Sequence, residues 1–150
     1  MKPGARRRTK GFTIIAGCGR LGADLANTLS DDGGNVTIID VDSDAFRKLS
    51  PSFGGIAMTG DARDISVLTD ADISKAATVI SVTNKDNTNI MVAQLAKEMF
   101  NIGRVIARLY DPECECVYRE FSIDTICPAV LSAKEIDKLL GVSDAEDEMI

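Results

Sequence analysis

The chain has 150 residues, of which 45% are hydrophobic and 27% charged, the size and balance of one globular domain. The first ten residues include five basic and no acidic residues, which leaves a net charge of −11 on the other 140. A body this acidic repels phosphate backbones, so nucleic acid is an unfavourable partner. Because no apolar run approaches the roughly 20 residues needed to cross a bilayer, no membrane-spanning segment is predicted.

Residues 1–10 are predicted to form a disordered basic tail, residues 11–141 the folded domain and residues 142–150 an acidic tail. Four cysteines occur without a secretory signal, which favours a reducing, cytoplasmic setting. Cys114 and Cys116 lie two positions apart, but the chain has no histidine and no second close pair to complete a tetrahedral site. No metal site is therefore predicted.

From residue 12, short β-branched runs alternate with longer segments of helical periodicity, the pattern of βαβ units. Six strands are predicted, over residues 12–16, 36–40, 55–59, 78–82, 104–109 and 124–127. The first is a continuous apolar run, as expected of a central parallel strand buried on both faces. The expected fold is α/β, a doubly wound, parallel, six-stranded sheet with helices on both faces.

The spacing of apolar residues predicts helices between these strands. The first helix is stopped by the two glycines at 33–34. Asp42 or Ser43 is expected to cap a short second helix, a brief third helix covers residues 65–68, and a further one begins near Pro112.

The longest helix is predicted over residues 87–100. Its inner side is expected to carry four apolar residues, Ile90, Met91, Leu95 and Met99. In the last helix, Ser132 and Glu135 form an S-x-x-E capping box that predicts the start, and Gly141 stands where a helix-ending glycine is expected.

Residues 17–22, Gly-Cys-Gly-Arg-Leu-Gly, form a G-x-G-x-x-G motif that follows a predicted strand and opens a predicted helix. We call this segment the glycine turn. Gly17 permits the tight turn, Gly19 lets the backbone approach a pyrophosphate, and Gly22 lets helix and strand pack closely. The pyrophosphate then lies on the helix N-terminus, where free N–H groups favour negative charge. In this context the motif predicts a Rossmann-type dinucleotide-binding domain.

An acidic residue supports the interpretation of the glycine turn. Asp40 ends the second strand 18 positions after Gly22, near the spacing of about 20 expected for the acid that binds a ribose. A carboxylate there accepts hydrogen bonds from ribose hydroxyls and repels a 2′-phosphate, which favours NAD or another adenosine nucleotide over NADP. The alternative is that the glycine turn is a plain β–α connection and Asp40 a loop cap.

Further candidates follow the third and fourth strands, at the edge where open α/β sheets bind ligands. Asp61 is placed to reach the adenine edge, and Thr83 and Asn84 lie at the end of the fourth strand. Asn84 or Asp86 has an alternative role as a cap of the long helix.

Two arginines are candidates for contact with a charged ligand. Arg20 lies within the glycine turn and is placed to pair with a phosphate, or else it is a solvated helix-start residue. Arg108 lies in an apolar strand, where a buried arginine needs an anion or a carboxylate. The ligand or an acid in the cleft is its predicted partner.

Catalytic signatures are missing from the sequence. It has no histidine, no G-x-S-x-G motif, no paired catalytic carboxylates and no Tyr-x-x-x-Lys arrangement. A hydride-transfer enzyme also needs a second domain or insertion to hold its substrate. A ligand-sensing regulatory module is therefore expected rather than an enzyme. The alternatives are a small NAD-dependent oxidoreductase, or half of a split one, and a degenerate module that serves only in oligomerisation.

Five short motifs lie within predicted strands or at their ends: G-C-G-R-L-G at 17–22, I-D-V-D at 39–42, T-G-D-A at 59–62, V-T-N-K-D at 82–86 and V-I-A-R at 105–108. Together they resemble the N-terminal RCK, or KTN, domain of the TrkA type, a cytoplasmic nucleotide-binding module that regulates bacterial potassium transporters and channels. The resemblance extends over residues 11–140, nearly the whole chain.

The resemblance implies binding of NAD or NADH, with ATP, ADP or AMP as alternatives, and assembly into homodimers or larger homo-oligomers. It also implies a cytoplasmic location, peripheral to the membrane through a potassium-translocating subunit. The implied cofactor-binding residues are Gly17, Cys18, Gly19, Arg20, Leu21, Gly22, Asp40, Val41, Gly60, Asp61, Ala62, Thr83, Asn84 and Arg108. The C-terminal ligand-binding domain usual in the family is expected to lie outside these residues, so gating by this chain alone is not expected.

Overall fold

Six parallel strands form a sheet in a computed structural model of the protein, which describes residues 11–114 and 118–142. In chain order they are β1 (Phe12–Ala16), β2 (Asn35–Asp40), β3 (Ile56–Thr59), β4 (Thr78–Ser81), β5 (Arg104–Arg108) and β6 (Asp124–Ile126). Their order across the sheet is β3-β2-β1-β4-β5-β6. Every neighbouring pair is parallel, so the predicted six-stranded fold is confirmed. Of the tails predicted at 1–10 and 142–150, residues 1–10 and 143–150 lie outside the described residues.

The centre of the sheet shows why strands form where they do. β1 lies between β2 and β4, with Ile15 in register with Ile38 and Ile80. Runs of β-branched residues suit a pleated strand that is covered on both sides. Ile14 and Ile15 are fully buried in the two separate cores on opposite faces of the sheet. Because the strand order reverses between β1 and β4, a ligand crevice is expected at their carboxyl ends.

Helices cover both faces of the sheet, as the sequence predicts. The helices are α1 (Arg20–Asp31), α2 (Ile65–Asp70), α3 (Asp86–Gln94) and α4 (Pro128–Leu140). α1 and the 3₁₀ turn Ser43–Lys48 pack on one face, and α2 and α3 pack on the other. Shorter segments are the 3₁₀ turns Ile73–Lys75 and Pro112–Cys114 and a π-helical turn, Leu95–Met99, that continues α3.

The helix ends agree with the sequence at three places. Gly33, just past α1, has φ +84°, which glycine adopts without steric cost. Asp42 caps the 3₁₀ turn Ser43–Lys48 by accepting a hydrogen bond from the Asp44 backbone N–H at 3.0 Å. Gly141 ends α4 with φ +74°.

The predicted inner face of the long helix was correct for Leu95, which packs against the core, and wrong for both methionines. Met91 and Met99 are 45% and 55% exposed. The buried positions are instead Asn89, Val92, Ala93 and Ala96. Small side chains allow the helix to lie close on β4 and β5, and the one polar residue among them is fully hydrogen-bonded, as described below. A pattern of large apolar residues could not identify such a face.

The predicted start of the last helix was also wrong. α4 begins at Pro128, a residue suited to the first helical turn because its missing N–H leaves no bond unmade. Ser132 is therefore an interior residue of α4 and not its cap. α4 has no buried residue, and its most exposed apolar side chains are Leu131, Ile136, Leu139 and Leu140. Of the helices described, none combines the length and the apolar character needed to cross a membrane.

Candidate functional site

A cavity of about 440 Å³ lies at the carboxyl ends of β1 to β4, where the strand order reverses. We call it the strand-end cleft. Ten of the predicted site residues line it: Gly17, Cys18, Gly19, Asp40, Val41, Gly60, Asp61, Ala62, Thr83 and Asn84. Its size lies within the usual range for small-molecule sites, roughly 300–1,000 Å³.

The glycine turn begins at a position that only glycine can occupy without strain. Gly17 has φ +108°, and a Cβ there would lie 2.8 Å from both the Thr83 backbone nitrogen and the Val82 carbonyl oxygen. Its N–H donates to the Ile39 carbonyl at 2.8 Å. Gly17 therefore lies directly between the ends of β2 and β4, and the turn is as tight as the motif predicts.

The first turn of α1 packs against the glycine turn, which forms the floor of the strand-end cleft. A Cβ on Gly22 would lie 1.8 Å from the Gly17 carbonyl oxygen, so the helix packs as closely on the turn as two backbones allow. Gly19 is the N-cap and supplies no side-chain cap. The hydrogen bond from Ala23 N–H to the Gly19 carbonyl, 2.9 Å, opens the helical ladder. The N–H groups of the positions before Ala23 have no intrahelical acceptor, and they carry the positive end of the helix dipole.

Asp40 ties the glycine turn to the end of β2. Its Oδ2 accepts a hydrogen bond from the Cys18 N–H at 2.7 Å, and its Oδ1 accepts from the Asp42 N–H at 2.9 Å. A carboxylate has about four lone-pair sites, so capacity for ribose hydroxyls remains beside these two bonds. The acid that the sequence places near a ribose thus also fixes the backbone beside it.

The Cys18 side chain is buried, with 1% of its surface exposed. Its Sγ donates to the Ala45 carbonyl at 3.4 Å. Burial raises the pKa of the thiol, and the neighbouring Asp40 carboxylate raises the same pKa further. A protonated, covered thiol is a packing group and not a nucleophile.

On the β3 side of the cleft, Arg63 folds back on Asp61. Oδ1 of Asp61 accepts from the Arg63 backbone N–H at 2.9 Å and from Nε at 3.1 Å. Oδ2 accepts from Nε at 3.2 Å and from Nη2 at 2.7 Å. The hydrogen bonds from Arg63 lower the pKa of Asp61.

On the β4 side, a buried asparagine organises the wall of the cleft. Asn89 has no exposed surface, and its Oδ1 accepts from the Thr83 N–H at 2.8 Å, from Thr83 Oγ1 at 2.6 Å and from Ser81 Oγ at 3.1 Å. Its Nδ2 donates to the carbonyls of Thr83 at 3.0 Å and Arg108 at 2.8 Å. Asn89 thereby fixes the segment after β4 to the end of β5.

The family model of the TrkA-N domain matches residues 13–128. The chain belongs to the TrkA-N domain family.

The Trk system potassium uptake protein TrkA of Streptomyces coelicolor is 40% identical to this TrkA-N domain over 133 residues. The match covers 89% of this chain and 60% of that protein, so the chain spans less than two thirds of its relative.

Three solved structures share the fold. The TrkA-N domain of the inner membrane protein ybaL from Escherichia coli superposes with a TM-score of 0.77 at 17% identity, covering 87% of this chain and 97% of that one. The Kef C-terminal domain of Shewanella denitrificans, in AMP-bound form, gives 0.72 at 22%, covering 92% and 87%. The GsuK channel bound to NAD gives 0.66 at 18%, covering 80% and 22%.

Among the described residues, Arg108 is bound by backbone carbonyls and not by an acid, one of the two partners predicted for it. Its Nη2 donates to the carbonyls of Val82 at 2.9 Å and Thr83 at 3.1 Å, and its guanidinium lies 5.1 Å from the centre of the Tyr110 ring. Backbone carbonyls and an aromatic face, rather than a carboxylate, therefore surround the charge. Its Nε is buried without a partner among the described residues. A contact between Arg108 and the ligand stays a prediction.

Neither residue proposed as a cap of the long helix acts as one. α3 has Lys85 as its N-cap, without a side-chain hydrogen bond. The Asp86 carboxylate accepts from the backbone N–H groups of Tyr110 at 2.8 Å and Asp111 at 3.0 Å. Asp86 thus holds the loop after β5, and Asn84 is exposed at the cleft.

Four predicted residues do not line the cleft. Arg20 is exposed at the start of α1, Leu21 and Gly22 lie behind the turn, and Arg108 lies beneath Thr83. Conversely, the cleft is lined by residues that sequence reasoning did not select: Ile39, Asp42, Ala45, Lys48, Arg63, Val82, Lys85 and Thr88. Of the three cations among them, Lys85 belongs to the V-T-N-K-D motif at 82–86, whereas Lys48 and Arg63 lie outside the five motifs and are identified only by their place in the fold. The described residues contain no cluster of three or more His, Cys, Asp or Glu side chains able to hold a metal ion.

Proposed function

We propose that this TrkA-N domain is a cytoplasmic, nucleotide-sensing regulatory module of a potassium uptake system or channel. In this proposal it binds NAD or NADH, with ATP, ADP or AMP as alternatives, and transmits the binding to a membrane ion-translocating partner without catalysing a reaction. Its relative from Streptomyces coelicolor is named as a potassium uptake protein of the Trk system, which supports this role.

The observation that carries the proposal is the open start of α1 at the floor of the cleft. Gly19 supplies no side-chain cap, and the N–H groups that follow it need an acceptor. An anionic phosphate is the natural acceptor, because these donors and the helix dipole both favour negative charge. Gly17 and Gly22 leave no room for side chains at this point, so the backbone itself forms the seat.

The rest of the cleft accommodates the two ends of a nucleotide. Asp40, with lone pairs to spare, is placed for the ribose hydroxyls, and its charge disfavours a 2′-phosphate. The base then lies on the β3 side, near Val41 and Ala62, and the distal half of a dinucleotide lies near Thr83 and Asn84. Among structural neighbours, GsuK is described bound to NAD and a Kef domain bound to AMP, so both ligand types are included.

We also propose that α4 mediates assembly with a second copy of the chain. A helix whose apolar residues are all exposed needs a partner to cover them. Leu131 and Leu139 of α4 are 55% and 80% exposed, so both present apolar surface that a second copy could cover. Replacing Leu139 by Asp is expected to shift the protein to a smaller mass in light scattering; an unchanged mass distribution would place the interface elsewhere.

Thermal melting tests the binding step. A nucleotide present at 100 times its dissociation constant stabilises the fold by about 2.7 kcal/mol, which raises the melting temperature of a domain this size by about 5 °C or more. We expect NAD, NADH or an adenine nucleotide to produce this shift, and NADP to produce less. The proposal fails if none of them does.

Asp40→Ala provides the matched variant. It should weaken nucleotide binding while leaving the oligomeric state unchanged, which separates the sensing role from a purely structural one. Turnover of NADH in proportion to protein concentration, with any reducible carbonyl substrate, would contradict the non-enzymatic role.

A further inference from the structure

The Asp61–Arg63 pair lies in the part of the cleft where the proposed function places a base. Both residues line the cleft, and their side chains are 39% and 51% exposed, so the pair forms part of the cleft surface. β3 and β2 are neighbours, with Thr59 in register with Asp40. The segment after β3 therefore lies beside the ribose-binding acid, on the side away from α1.

Arg63 uses most of the acceptor capacity of the Asp61 carboxylate. The backbone N–H and Nη2 each donate to one oxygen and Nε is shared between both, so three N–H groups bind a carboxylate that offers about four lone-pair sites. A direct bond from an adenine amino group would have to compete with these bonds. Because hydrogen bonds from Arg63 lower the pKa of Asp61, the pair stays ionised as the pH falls from 7 to 5.

The guanidinium is held by its edge, which leaves its planar faces for other contacts. Two nitrogens, Nε and Nη2, point at the carboxylate in the fork geometry that arginine forms with acids. A guanidinium fixed in this way stacks on aromatic rings, which a lysine ammonium cannot do. Asp61 removes much of the rotational freedom that Arg63 would otherwise lose on stacking.

An apolar side chain completes the base subsite. Val41 follows Asp40 directly, lines the same cleft and is 70% exposed, a large exposure for an aliphatic residue. A purine ring that enters between the segments after β2 and β3 would cover Val41 on one side and meet Arg63 on the other.

We infer that Arg63, held by Asp61, is a specificity-determining residue whose guanidinium stacks on the purine ring of the bound nucleotide. Asp61 is then a positioning residue that acts through Arg63 and not a direct acceptor for the adenine amino group. This inference rests on the proposed nucleotide-binding function.

Calorimetric titration with ADP tests it in four proteins: wild type, Arg63→Gln, Asp61→Asn and the double variant. Loss of the stacked cation is expected to weaken ADP binding about two- to fivefold. Asp61→Asn should weaken it by a similar or smaller factor, and the double variant should bind no more weakly than Arg63→Gln. Arg63→Lys should not restore the affinity, because the charge remains but the planar face is lost.

A modified ligand separates stacking from hydrogen bonding. N6,N6-dimethyl-ADP has no amino hydrogen to donate but keeps its ring, so wild type should bind it as tightly as ADP. UDP, with a smaller ring, should lose less than ADP when Arg63 is replaced. The control is Arg47→Gln, since Arg47 is also an exposed arginine near an acid, Asp44 at 4.0 Å, but does not line the cleft.

Three outcomes would overturn the inference while leaving nucleotide binding intact. These are wild-type affinity for ADP in Arg63→Gln, additive losses in the double variant, and a marked loss of affinity on dimethylation. If wild type binds neither ADP nor NAD, the proposed function fails as well, so the two failures are distinguishable. Melting temperatures near that of wild type are expected for every variant, because the pair is exposed.

Discussion

The two helices that begin at the strand-end cleft, α1 and α3, use their first turns in opposite ways. Neither has a side-chain cap at its start, Gly19 or Lys85. At α1, the backbone N–H groups of residues 19–22 have no acceptor among the described residues. At α3, Asp86 and Asn89 bind the loop after β5 and the segment after β4.

This difference indicates that the α1 half of the cleft binds the ligand and that the α3 half stabilises the conformation of the cleft. An unsatisfied helix start is a site for an anion, whereas a polar residue with every hydrogen bond made stabilises one conformation. Charge follows the same division. α1 has no acid in its first turn, while α3 has Asp86, whose charge already interacts favourably with the dipole of that helix.

The largest expected effect is a loss of stability when the packing of α1 on the glycine turn is disrupted. In Gly22→Ala the new Cβ would lie 1.8 Å from the Gly17 carbonyl oxygen, so turn and helix must separate. We expect a loss of about 3 kcal/mol or more in the free energy of unfolding, measured in urea. Gly103→Ala, where no atom lies within 4 Å of the new Cβ, is the control and should be close to neutral. Equal stabilities for the two variants would contradict the packing described.

The next effect breaks the α3 side. Asn89→Ala removes the hydrogen bonds from Asn89 to the Thr83 N–H and to the carbonyl groups of Thr83 and Arg108, of which the Thr83 carbonyl keeps its bond from Arg108, and this should cost about 2–3 kcal/mol of stability. Asn87→Ala, at an exposed position of the same helix, should change stability by less than about 0.5 kcal/mol. If the two variants unfold at the same urea concentration, the Asn89 hydrogen bonds do not contribute to stability.

A smaller effect separates binding from folding at the glycine turn. Gly19 has φ −82° and open space around its Cβ position, so Gly19→Ala should fold like wild type. The added methyl enters the place where a phosphate would approach, and nucleotide affinity should fall about tenfold, or 1.4 kcal/mol. Calorimetric titration with NAD and ADP measures this. Unchanged affinity would mean that the phosphate does not lie on this turn.

The smallest effect sharpens the description of the β4 side. Thr83→Val removes the hydroxyl that donates to Asn89 at 2.6 Å and should lower stability by about 1 kcal/mol. Thr83→Ser keeps the hydroxyl and should recover most of that loss. A valine variant as stable as wild type would show that the backbone bond from Thr83 N–H alone holds the segment.

The sequence predicts the α1 side of the cleft better than the α3 side, and the reason is physical. Local backbone geometry requires glycine at Gly17 and Gly22, and the end of a strand places Asp40. These three residues therefore form a spacing pattern that can be recognised in the sequence alone. Asn89 acts through contacts that join β4, α3 and β5, and no local pattern marks it. Its burial also explains why apolar spacing failed to find the inner face of α3.

The structure differs from the sequence prediction at the helix start assigned to Ser132 and at the acid partner considered for Arg108. The S-x-x-E pattern at Ser132 is compatible with a helix interior as well as with a cap, and Pro128 is the earlier start signal. Arg108 was expected to pair with the ligand or with an acid in the cleft, but its Nη2 donates to two backbone carbonyls at a strand end instead of to an acid. The helix start depends on a competing local signal, and the partners of Arg108 depend on neighbours that are distant in sequence.

The most direct test of the open helix start is the response of individual backbone N–H groups to ligand. In ¹⁵N-labelled protein titrated with ADP or NAD, the largest chemical-shift changes are expected at Gly19, Arg20, Leu21 and Gly22, with smaller changes at Asp86 and Asn87. Saturable binding without changes at the first four groups, or with the largest changes at the start of α3, would contradict the assignment of the anion to α1.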